Sequence, residues 1–166
     1  MKCVSALLAA SLFGVVFGVE PSVSDLSNLA TVGRVDSEAG GELVGGFVVE
    51  GGEGEVYLIT ARGPDLASDH AKEPIYSVEE VLADPRLTVV RHLENGESEV
   101  VGSNDDWVFD DEPRLGHYLL PDLNLGSKDS VLVIDLEPGI YTAIVDGKGA
   151  SGMASIEVEG AVWMIW

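Results

Sequence analysis

Cysteine is nearly missing from this sequence. The single one in 166 residues, Cys3, stands ahead of the apolar run Val4–Phe17, whereas the acylated cysteine of a lipoprotein follows such a run, and a disulfide needs two thiols. Basic side chains are also scarce, with 9 Lys and Arg against 29 Asp and Glu and a net charge of −20. Nucleic acid and anionic lipid both require a basic footprint, so neither is an expected partner. Histidine occurs at only three positions, His70, His92 and His117, and no Gly-x-Ser-x-Gly elbow is present; Gly149-Ala150-Ser151-Gly152 has the wrong spacing. The glycine clusters precede no helix whose N-terminus would hold phosphate. With 29 acids, any fold would offer a facing carboxylate pair by chance, so glycosidase chemistry gains no support from composition. Internal repeats, low-complexity tracts and charge-run tails are absent as well.

What is present begins with an export signal. Met1-Lys2 supplies one positive charge, Val4–Phe17 an apolar core, and Val16-Phe17-Gly18 a small-residue site ahead of Glu20-Pro21. The run is short for a membrane anchor of about 20 residues. Residues 1–18 are therefore expected to be a signal peptide and 19–166 one domain of ordinary size, secreted or at the cell surface, with the periplasm as a further destination and no transmembrane segment in the mature chain. Removing the leader removes Cys3, so stability has to come from the core.

The rest of the chain reads as short strands. Val131–Leu136, Ile140–Val145 and Met153–Val158 are separated by the turn Glu137-Pro138-Gly139 and by the glycine-rich Gly147–Gly152, and their apolar residues alternate with period two. Glu42–Glu50, Glu55–Arg62, Leu87–Leu93 and Glu99–Ser103 are further β-rich runs bounded by Gly, Pro, Asn or Asp. The fold class expected is all-β, a two-sheet antiparallel β-sandwich of jelly-roll type with seven to eight strands. Its core should include Leu132, Ile134, Leu136, Tyr141, Ala143, Ile156 and Val158. Ser22–Leu29 reads as a lead-in along the sandwich edge. Gly63–Asp84, with a helical turn at Val78–Ala83, and Asn104–Gly126 read as long excursions at the ends of the sandwich, where binding loops sit.

The best candidate site is Ser103-Asn104-Asp105-Asp106-Trp107, continued by Asp110-Asp111-Glu112. Calcium accepts six to eight oxygens in a flexible geometry, so Asn104, Asp105 and Asp106 are the metal candidates, against ordinary turn capping by the same side chains. Trp107 and Tyr118 are the ligand-binding candidates, Trp107 as a flat face for sugar stacking or as a plug at the end of the core. Trp163 and Trp166, in the apolar stretch Ala161–Trp166, extend the last strand or form a contact for a partner. His92 falls in a strand among apolar neighbours. His70 and His117 fall in the two long loops, where an acid–base or metal role stays open.

From Leu26 to Val158 the chain resembles a β-sandwich domain that recurs, often in tandem, in large uncharacterised secreted proteins of aquatic bacteria. The resemblance rests on Leu26-Ser27-Asn28-Leu29, Val44-Gly45-Gly46-Phe47-Val48-Val49, the stretch Leu58–Ala67, Leu82-Ala83-Asp84-Pro85, Asn104-Asp105-Asp106-Trp107 and the stretch Leu136–Val145. The last third is also similar to the bacterial pre-peptidase C-terminal domain, in which an acidic cluster precedes a Leu-x-Pro-Gly-x-Tyr turn. These likenesses imply a non-catalytic accessory or adhesive module, with Asn104, Asp105 and Asp106 as a metal edge. The function expected is an exported binding or surface-interaction module for a carbohydrate, matrix or protein ligand, stabilised by calcium. A structural subunit of a cell-surface assembly is the alternative, and a small secreted hydrolase is the third reading.

Overall fold

Eight strands account for most of the described residues in a computed structural model, which describes residues 28–51, 55–67, 76–107 and 128–160. They are β1 (Asn28–Asp36), β2 (Leu43–Val49), β3 (Glu55–Arg62), β4 (Arg86–His92), β5 (Ser98–Asn104), β6 (Ser130–Leu136), β7 (Gly139–Asp146) and β8 (Ser151–Gly160), with one 3-10 turn at Pro64–Ala67. The pairing follows a simple rule: β1 meets β8, β2 meets β7, β3 meets β6 and β4 meets β5, all antiparallel. The first half of the chain thus lies against the second half in reverse order, as one long hairpin rolled up on itself. Further pairings of β3 with β8 and β4 with β7 close two four-stranded sheets, β1-β8-β3-β6 and β2-β7-β4-β5. This is the jelly-roll architecture expected from the sequence.

The registers also sort the connections. Links β1–β2, β3–β4, β5–β6 and β7–β8 gather at one end, the loop end, and β2–β3, β4–β5 and β6–β7 at the other, the turn end. Both long excursions belong to the loop end.

Between the sheets the alternation seen in the sequence becomes a core. Leu136, Tyr141, Ala143, Ile156 and Val158 are buried, while Leu132 and Ile134 are partly buried against the same cluster. Phe47, Tyr57 and Tyr141 fill the turn end, with Phe47 stacked on Tyr141 at 5.5 Å and tilted to Tyr57 at 6.1 Å. The Tyr141 hydroxyl donates to the Glu137 carbonyl at 2.6 Å, which ties the β6–β7 turn to the strand that follows it. Burial raises the phenol's pKa above its ordinary value, partly opposed by the Arg91 guanidinium 5.9 Å from the ring centre.

Two local expectations change. Of the expected lead-in Ser22–Leu29, residues 22–27 lie outside the described residues, and Asn28 and Leu29 open a nine-residue strand, β1. Residues 78–80 form a turn rather than the helical turn Val78–Ala83, and Val81 then bridges Met153 in parallel. Leu82 donates its N–H to the Met153 carbonyl, Met153 donates to the Glu80 carbonyl, and the Leu82 side chain is fully buried. Gly152 permits this approach, since a Cβ there would stand 2.4 Å from the Leu82 nitrogen.

The outer face of the first sheet is not solvated in the way a simple sandwich implies. Val56 and Leu58 of β3 and Val131 and Val133 of β6 form a second cluster with Trp107, each less than a tenth exposed. Both faces of β3 and β6 are therefore buried.

Candidate functional site

At the loop end, three connections are fastened to one another. Asp129, fully buried, accepts the Gly63 N–H at 2.6 Å, joining the β5–β6 link to the β3–β4 link. Gly63 is required at that position because a Cβ would sit 2.0 Å from the Leu82 carbonyl oxygen. The Ser130 hydroxyl lies 2.7 Å from the Pro85 carbonyl and 2.8 Å from that of Asp105, and its one proton is shared between them. Trp107 donates its backbone N–H to the Asp129 carbonyl at 3.0 Å.

Lys148 adds the β7–β8 turn to this platform. Its backbone has φ of 49°, in the left-handed region that suits Gly or Asn, and the next residue, Gly149, has φ of 97°. The conformation is held by the Asp146 carboxylate, which accepts the Lys148 N–H, and by the Ala150 N–H to the Gly147 carbonyl. Its ammonium group reaches Asp84 at 2.8 Å and Asp105 at 2.6 Å. Hydrogen bonds to Asp105 and then Asp84 raise its pKa above the ordinary 10.5. Lys128 meets Asp106 at 2.6 Å, which raises its pKa in the same way, and Arg86 meets Asp146 at 2.8 Å. Lys148, Lys128 and Arg86 thus each stand against carboxylate at this end.

The structure separates the metal candidates. Asn104 turns inward and accepts the Val131 N–H at 3.2 Å, Asp105 points to Lys148, and Asp106 points to Lys128. Among the described residues no group of three or more His, Cys, Asp or Glu converges in a way that could hold a metal ion. The calcium expectation is thus carried by no donor set there, and what this arrangement does instead is lock loops by charge-assisted hydrogen bonds. The Trp107 ring, 6% exposed, lies in the cluster over the first sheet. Tyr118, Trp163, Trp166, His70 and His117 lie outside the described residues, as does the leader at residues 1–18. His92 is exposed at the end of β4, with Nδ1 3.0 Å from Ser98 Oγ and Nε2 2.7 Å from Thr142 Oγ1.

A feature that sequence reading missed lies on the outer face of the second sheet. The registers align twelve outward positions in three rows: Val44, Ile144, Thr88, Ser103; then Gly46, Thr142, Val90, Val100; then Val48, Ile140, His92, Ser98. None of these twelve is Asp, Glu, Lys or Arg, in a chain that carries 29 acids, and the next outward row holds the Arg86–Asp146 ion pair at the margin. Val44, Val48, Ile140 and Val100 are each more than half exposed. Strand alternation in the sequence indicates which residues point outward, but only the register shows that they meet.

The fold and these two surfaces define a jelly-roll β-sandwich of the kind that serves as a binding or structural module. Searches against protein-family models, curated proteins and solved structures return no match to the chain. Among the described residues, no helix is long and apolar enough to cross a membrane, which does not bear on β-barrels.

Proposed function

We propose that the chain is an exported, non-catalytic binding or surface-interaction module that takes its ligand, a carbohydrate, matrix component or surface protein, at the loop end. The observation behind this reading is the fastening of three connections by Asp129, Ser130 and Lys148, which turns separate loops into one preorganised platform and lowers the ordering cost of binding. The test is retention of the full chain on arrays of glycans, matrix proteins and cell-envelope fractions, beside Asp105→Ala and Lys148→Ala. Retention lost in both variants supports the reading; absence of retention on every surface counts against it. Calcium enters only by displacing Lys148 and Lys128 from Asp105 and Asp106. A calcium-specific rise in melting temperature over EDTA, abolished in the double variant Asp105→Ala and Asp106→Ala, measures that exchange.

A second reading, a structural subunit of a surface assembly, is favoured by the uncharged outer face of the second sheet.

A further inference from the structure

We infer that the outer face of the second sheet is an interface with a second copy of this chain. The inference stands apart from the loop-end reading and uses different residues.

The chemistry of the face selects its occupant. A basic partner would find no carboxylate among the twelve aligned positions, and an acidic one no Lys or Arg. A sugar would find no Trp, Tyr or Phe on which to stack. What remains is a surface of Val, Ile, Thr and Ser with Gly46 and His92, and the same face of another copy has that composition. Antiparallel sheets can pack face to face with their strands nearly aligned.

The face is also self-complementary. A two-fold axis running across the strands through the middle row lays the first row over the third. Val44 then meets Val48, Ile144 meets Ile140, and Val90 and Val100 meet their own counterparts. Carboxylates stay at the margins of the contact, which matters when two chains of net charge −20 approach. A second copy pairing through another part of so acidic a surface would bring like charges together.

Area sets the strength. Four strands about 4.8 Å apart, with three outward rows spanning about five residues at about 3.4 Å each, cover roughly 330 Å². A standard interface takes about 800 Å² from each partner, so the dimer is reversible and concentration-dependent rather than obligate.

Sedimentation velocity over a concentration series tests this on the full chain, at about 50 mM and about 500 mM salt, where the Debye length falls from roughly 14 to 4 Å. A monomer–dimer equilibrium is expected, tightened about tenfold by the added salt because screening relieves the repulsion between the two acidic bodies. Ile140→Asp or Val100→Asp should abolish the dimer while lowering the melting temperature of the dilute protein by no more than a few degrees, the cost of Asp in a strand at an exposed position. Val48→Lys, a change of opposite sign, should do the same and guards against a folding defect in either Asp variant. A monomer at every concentration and salt overturns the inference, as does a dimer that survives all three substitutions.

Discussion

The two sheets share a core but treat their outer faces in opposite ways. On the first sheet Val56, Leu58, Val131 and Val133 are buried in one cluster with Trp107, and beside them Arg62 pairs with Glu157 at 3.2 Å. On the second, the twelve aligned residues include no carboxylate, and Val44, Val48, Val100 and Ile140 are each more than half exposed. Burial on both faces makes β3 and β6 part of the folding core, whereas the outward residues of β2, β7, β4 and β5 contribute little to stability and are free to be chosen for contact. The difference separates residues that hold the protein together from residues that present it to a partner.

The largest effect on that contrast comes from Trp107→Ala. Removing the ring opens the second cluster, and a loss of about 3 kcal/mol is expected from urea denaturation. A loss below about 1 kcal/mol would remove the distinction between the faces. Next is Thr60→Val. Thr60 Oγ1 and Ser155 Oγ, both buried on the covered face, have no hydrogen-bond partner. Replacing the hydroxyl by a methyl of the same shape should therefore leave stability unchanged or raise it by up to about 1 kcal/mol. Destabilisation would show that an ordered water satisfies them.

A smaller effect is expected at Lys148→Met, which releases Asp84 and Asp105: a fall in melting temperature on the order of a few degrees at neutral pH. The folded state holds the Lys148 proton to higher pH than the unfolded chain does. Its contribution is complete below about pH 10.5 and disappears as pH rises through the raised folded-state value, so the variant and the parent should converge in strong alkali. The smallest effect belongs to the bare face, where Ile140→Thr should change stability by less than about 0.5 kcal/mol. A larger loss in dilute solution would mean that this face, too, is covered.

Much of the fold could be read from the chain because the hydropathy contrast along β6, β7 and β8 is strong. Leu132, Ile134 and Leu136 do face the core, and Tyr141, Ala143, Ile156 and Val158 are buried there. β1 was not legible. Its inward positions, Leu29, Thr31, Gly33 and Val35, differ little in hydropathy from the outward Ala30, Val32 and Arg34, so it has no clear period. The site was legible in part: Asn104, Asp105 and Asp106 do stand at the loop end, but the lysines that answer the two aspartates lie far along the chain, and no local pattern announces them. The uncharged face depends on cross-strand register, including the shift between Val89 and Val90 that brings Val100 beside Val90.

The pairing of the first strand with the last has a mechanical consequence. Asn28 lies opposite Glu159, so the described chain enters and leaves the sandwich side by side at the turn end. Tension carried through those two points pulls perpendicular to the strands and loads the β1–β8 hydrogen bonds one pair at a time. Stretching a single molecule by these attachment points should peel β1 away at low force, and a tall rupture peak for this step would contradict that geometry. A protein held at these two points would yield at this seam first, while the loop end, facing away from the attachments, would carry none of the load.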